Sequence, residues 1–235
     1  MLKLTLVLLC CFTGCMMSDE QITSGSSYNI KNDNAQTLPI EPNKFYVNIE
    51  FIAYKVQIDK YPKTWVQVQN ALEEWKKHLP INVKIYVEDL EHVNQFGFVD
   101  VYHDRPRVTS IMLANLQSPE MGSLYPSIVG LWDCEKNQVM FDADVLEAHD
   151  SVAFSVALHE LGHMFGLPHI MNVGEDALTG FILLPTDVDA KRFVMYPQVT
   201  EEYQKELSPI EVDIALNHIL YNLTNPSIQI KCEYK

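Results

Sequence analysis

A chain of 235 residues, 47% of them hydrophobic, is long enough for one globular domain with a sizeable core. Its formal net charge of -14 argues against nucleic-acid phosphates and anionic lipid headgroups as partners, because like charges repel.

The N-terminus reads as an export signal. "MLK" gives a positive start to the apolar run "LTLVLLCCF", which is too short to span a bilayer. The following "FTGC" resembles the lipobox of bacterial lipoproteins, with Phe12 where leucine is usual. That resemblance implies a signal peptide over 1–14 and a lipid-bearing thiol at Cys15. A plain secretory signal cut nearby is the alternative, and both readings export the protein. Residues 15–44 are rich in Ser, Asn, Asp and Gln without a sustained apolar period, so they cannot bury enough surface to offset ordering entropy. They read as a flexible tether, or as a segment lying across an active site. The domain proper is expected over 45–235.

In that domain "FYVNIEFIA" alternates Phe45, Val47, Ile49 and Phe51 on one face, which predicts a strand. "TWVQVQNALEEWKKHLP" spaces Trp65, Val68, Leu72, Trp75 and Leu79 by three and four, which predicts a helix capped by Thr64 and Gln67 and stopped by Pro80. "INVKIYV" alternates again, and "FVDVY" from Phe98 is a third short strand. The stretch from His103 to Ser127 carries three prolines and reads as loop. "IVGLW" from Ile128 and "QVMF" from Gln138 are strands joined by the turn "DCEKN". Asp150 opens a long helix, and an irregular stretch runs from Leu167 to Leu207. Ser208, Pro209 and Glu211 then form a capping box with proline at the first helical position. This order predicts an α/β (α+β) domain, one sheet packed by helices.

Five cysteines are present. Cys10 and Cys11 leave with the signal, so Cys134 and Cys232 remain in the domain. They either form a disulfide in an oxidising compartment or stay as two thiols.

The chemistry concentrates in "HELGHMFGLPH", His159 to His169. His159 and His163 stand one turn apart on one helix face, so both imidazoles can reach one metal ion. Gly162 leaves room for close packing, and Gly166 can end the helix in the left-handed conformation. The turn then brings His169 toward the other two. Three neutral histidines with one open position describe a catalytic zinc site. Glu160 stands beside the metal, where it can take a proton from the attacking water. A chance match to all five fixed positions is on the order of one in 10⁵ per chain.

This string resembles the metzincin signature, and Met195 in "FVMYPQ" resembles the methionine turn of that clan, in its matrixin form. The resemblance extends to the helix beginning "LSPIEVDIAL". It implies a twisted mixed sheet, an active-site helix, a methionine turn and a C-terminal helix. It further implies one catalytic zinc on His159, His163 and His169, with Glu160 as general base and Met195 as the floor below the ion. Tyr196, Pro197 and Gln198 would line the pocket after the scissile bond. "SIVGLW" would be the edge strand, and Ile128, Val129, Gly130 and Leu131 would hold an extended peptide.

The pattern departs from the family in places. Met140 stands where a structural-zinc histidine is expected, so a second zinc is not predicted. Asp142 and Asp144 are calcium candidates or exposed acids before a helix. The stretch with "FILLP" between His169 and Met195 is long and reads as a flap or a surface insertion. The expectation is an exported zinc endopeptidase, anchored by its lipid or secreted, monomeric, acting on proteins or peptides. A binding or adhesion protein on the same scaffold and a narrow processing protease remain the alternatives.

Overall fold

The first strand of the sheet is β1 (Val47–Tyr54), an interior strand with neighbours on both sides. Its first half alternates in burial, but Phe51, Ile52, Ala53 and Tyr54 are all buried, as expected of a parallel strand covered on both faces. The computed structural model describes residues 46–89, 108–117, 128–172, 182–198 and 206–224. Phe45, the segment "FVDVY", the signal and the tether, with Cys15, lie outside these residues, as does Cys232.

Two helices follow β1: α1 (Lys55–Lys60) and α2 (Pro62–His78). Thr64 does not cap α2 as its spacing with Gln67 predicts. Pro62 opens the helix, and Thr64 lies inside its first turn. A distant carboxylate takes over: Glu147 accepts from the Lys63 amide (3.1 Å), the Thr64 amide (2.9 Å) and the Thr64 hydroxyl (2.9 Å). A negative charge there also suits the positive end of the helix dipole.

Next come β2 (Ile81–Glu88), β3 (Val108–Ala114), β4 (Gly130–Asp133) and β5 (Gln138–Asp142). They join β1 in one mixed sheet of order β2-β1-β3-β5-β4, parallel except for β4, which runs antiparallel to β5 at one edge. Strand β3 corrects the loop expected from His103 to Ser127. All seven of its residues are buried, so it has no alternation to betray it. A short helix α3 (Ala143–Leu146) leads to the long helix α4 (Asp150–Met164), and the last helix is α5 (Pro209–Thr224).

One face of the sheet, with Phe51, Ala53, Ile111, Leu113, Val139 and Phe141, joins α2 and α4 in the main core. The other face, with Ile52, Tyr54, Met112, Met140 and Ile128, forms a smaller apolar cluster. Met140 therefore packs in hydrocarbon. Ten consecutive or near-consecutive residues of α4 are buried, from Val152 to Gly162 with Phe154 partly open, so α4 is an internal helix covered on most sides. Trp75 of α2 donates to the Leu158 carbonyl (3.2 Å) and stacks edge-on against Phe165 at 5.1 Å, which fixes α4 along its length.

Asp142 is not an exposed acid. It is fully buried, and neither oxygen closes a well-formed hydrogen bond. Burial pushes its pKa up to about 6, opposed by Gln117 and by the amides of Val145 and Asp144. Asp144 accepts from the Tyr61 hydroxyl at 2.5 Å. A folded-state pKa above the unfolded value means stability that is full at low pH and lost as pH rises through about 6. Asp142→Asn is therefore expected to stabilise the protein by about 1–3 kcal/mol at pH 8, with no gain near pH 4, in denaturant titrations. Among the described residues Asp142 and Asp144 form no cluster of ligating side chains, so the calcium expectation gains no support. Should calcium occupy the site, wild type alone would gain stability on adding it.

Candidate metal centre

Helix α4 carries His159, Glu160 and His163, and its end sets the third histidine. Gly166 takes φ +87°, as its place in the sequence predicts. The Gly166 amide donates to the His163 carbonyl (2.9 Å) and the Leu167 amide to the Gly162 carbonyl (3.0 Å), a Schellman stop. The chain turns back, and His169 arrives beside the helix. The Nε2 atom of His169 lies 3.2 Å from that of His159 and 3.1 Å from that of His163.

Backbone carbonyls set two of the tautomers. His159 Nδ1 lies 2.7 Å from the Val194 carbonyl, and His163 Nδ1 lies 2.8 Å from the Leu167 carbonyl. A carbonyl only accepts, so both Nδ1 atoms carry the proton and both Nε2 lone pairs face inward. Burial drives the pKa of His159 down to about 3, helped by His163, and that of His163 down to about 4. Burial also holds His169 well below the usual range. All three rings are neutral at physiological pH, the state in which imidazole ligates metal.

The donor set fits zinc. Two nitrogens at about 2.0–2.1 Å from one ion, at the tetrahedral angle, stand about 3.3 Å apart, close to the separations seen. Among the described residues these three histidines are the group of ligating side chains close enough to share an ion.

Glu160 is 1% exposed, and its Oε1 has no hydrogen-bond partner among the described residues. Burial pushes its pKa up to about 8, opposed by the Trp132 amide of β4. Gly130, also on β4, makes this approach possible. A Cβ there would lie 2.7 Å from Glu160 Cγ and Oε1 and 2.7 Å from Val156 Cγ1. Spacing in the sequence cannot show this contact, because it joins a strand to a helix.

Met195 is fully buried, with its side chain against Gly162 of α4. A Cβ on Gly162 would meet its Sδ at 2.4 Å, so the glycine admits the methionine. The backbone of this turn holds the site together. The Ile170 amide donates to the Met195 carbonyl (2.9 Å), and the Ile182 amide donates to the His169 carbonyl (2.9 Å). Strand β6 (Ile170–Asn172) pairs in parallel with β7 (Ile182–Leu184). The Asn172 amide group donates to the Pro185 and Val188 carbonyls, at 3.0 and 2.5 Å. "FILLP" is thus partly built into the fold beside His169, with Leu184 buried and Leu183 exposed.

Of the expected substrate residues, Ile128, Val129 and Gly130 are buried and Leu131 is half-buried on the edge strand. Tyr196 is buried, Pro197 half-buried and Gln198 exposed. Cys134 is disulfide-bonded, which removes the reading of a free thiol there. His218 of α5 is a packing residue, seated where a Cβ on Gly166 would fall.

No protein-family model matches the chain, and no curated protein matches its sequence. Solved structures similar to the chain at low identity include the following three. Archaemetzincin from Methanopyrus kandleri is 11% identical with a TM-score of 0.38, over 78% of this chain and 99% of that one. Metalloproteinase-II from Bacteroides fragilis is 13% identical with a TM-score of 0.42, over 74% of this chain and 56% of that one. Myroilysin is 9% identical with a TM-score of 0.37, over 73% and 82%. At such low identities and scores these likenesses carry no functional weight; the site's own geometry does.

Proposed function

We propose that the protein is a zinc-dependent endopeptidase, matrixin-like in its motifs, acting on proteins or peptides outside the cytoplasm. The carrying observation is the convergence of three neutral histidines beside a buried carboxylate. His159, His163 and His169 would hold the ion. When bound, zinc lowers the pKa of a water to ~7 and polarises the substrate carbonyl. Glu160 takes the proton of the attacking water and delivers it to the leaving amine. Among the described residues strand β4 pairs with β5 on one side only, so an extended peptide can add to its other edge. Tyr196, Pro197 and Gln198 form the adjoining wall.

The disulfide at Cys134 supports an exported protein, because such bonds persist in oxidising compartments. The signal and lipid attachment at Cys15 rest on the sequence, and no described helix is long and apolar enough to cross a membrane.

The purified protein is expected to hold one zinc and to cut a quenched peptide library. A chelator should stop cleavage, and added zinc should restore it. Retained zinc without cleavage of any library or unfolded protein would favour a binding protein or a narrow processing enzyme. A protein that takes up no zinc would end this reading.

A further inference from the structure

Two histidines of the site donate to backbone carbonyls at nearly equal distances, but the two carbonyls differ. The Val194 carbonyl, which accepts from His159, belongs to the same peptide unit as the Met195 amide. That amide donates to Glu211 Oε1 at 2.8 Å. The chain of contacts is carboxylate, peptide, imidazole, with one peptide between the acid and the ring. The Leu167 carbonyl, which accepts from His163, belongs to the peptide of Pro168, which has no N–H to offer a carboxylate.

Glu211 is fully buried at the start of α5. Its Oε2 accepts from the Ser208 amide (2.9 Å), and its own amide donates to Ser208 Oγ (3.2 Å). These contacts complete the capping box expected from the sequence. A capping box needs one carboxylate oxygen. The other reaches out of the helix to the methionine turn.

We propose that Glu211 is a positioning residue of the metal centre, acting on His159 through the Val194–Met195 peptide. A negative group on the N–H end of a peptide polarises its carbonyl, and hydrogen bonds in series strengthen one another. A stronger acceptor at His159 Nδ1 fixes that ring's orientation and makes Nε2 a better donor to the ion. His159 thereby becomes the more firmly held ligand of the pair on α4. The inference rests on the zinc reading above.

The test uses the full protein loaded with zinc. In wild type, the Nδ1 proton of His159 is expected downfield of that of His163 in proton NMR, because its acceptor is polarised. Glu211→Gln keeps an oxygen for the Met195 amide but removes the charge. It should weaken zinc binding about tenfold in chelator competition. It should also move the His159 proton upfield while leaving that of His163 in place. Ser208→Ala, which removes the cap hydroxyl alone, should leave zinc affinity unchanged.

Unchanged affinity in Glu211→Gln would make Glu211 a helix cap and overturn the proposal. So would an equal loss in Ser208→Ala, or equal shifts of both histidine protons. If Glu211→Gln does not fold, the wild-type order of the two protons decides, and the reverse order overturns it. Wild type that binds no zinc would instead fail the metal reading, before any variant is compared.

Discussion

Replacing Glu160 with alanine is expected to lower peptide cleavage by about 10²–10⁴-fold with zinc still bound. The three ring nitrogens that converge do not include this carboxylate, and their tautomers are set by Val194 and Leu167. Removing it leaves the ligands in place. Without the ion, burial keeps the Glu160 carboxyl protonated toward about 8. A divalent charge nearby favours the carboxylate, which is the form that takes a proton. The base is held against β4, so the strand offers a second, independent perturbation. Gly130→Ala places a methyl 2.7 Å from Glu160 Cγ and Oε1. Either the carboxylate or the strand must shift, and displacements of this size cost about 10²-fold in rate. Zinc content and cleavage rate measured on both variants check the assignment. Cleavage at the wild-type rate by Glu160→Ala would remove the residue from the chemistry.

The converging histidines were legible because an α-helix converts spacing into geometry. His159 and His163 share a face at any packing, and Gly166 marks a stop that few other residues tolerate. The cap of α5 was legible for the same reason, since Ser208 and Glu211 interact within one turn. Contacts between elements were not legible. Thr64 looked like a cap, yet Pro62 starts the helix and Glu147, far along the chain, supplies the acceptor. Strand β3 hid because a central parallel strand buries both faces and loses its period. Asp142 read as an exposed acid because acids usually are; it is buried at the end of β5, where its amide bonds to the Val129 carbonyl across the sheet, a placement that only the fold shows. The second contact of Glu211 lies in the same class. Its sequence spacing shows the cap, and only the fold shows the methionine turn on the other oxygen.

Zinc itself should be a large part of the protein's stability. At a free concentration of about 1,000 times its Kd, a ligand that binds only the folded state adds about 4 kcal/mol. In a domain of this size that is a rise of about 8–16 °C in melting temperature. His163→Ala removes one of three ligands and is expected to erase the rise. A packing defect would also lower the melting temperature, so acid unfolding of the metal-free proteins separates the two causes. The histidines have folded-state pKa values below the unfolded 6.5, about 4 for His163 and about 3 for His159. Between those values and 6.5 the unfolded chain binds more protons, so stability rises with pH and is lost as pH falls. His163→Ala removes one of these neutral bases, itself half-buried. Its metal-free form should therefore lose less stability than wild type between pH 7 and pH 4, even if it starts lower. Zinc-dependent stabilisation lost at neutral pH together with a shallower acid slope identifies a ligand held neutral by the fold. Parallel stability curves for the two metal-free proteins would mean that His163 is not held neutral in the fold.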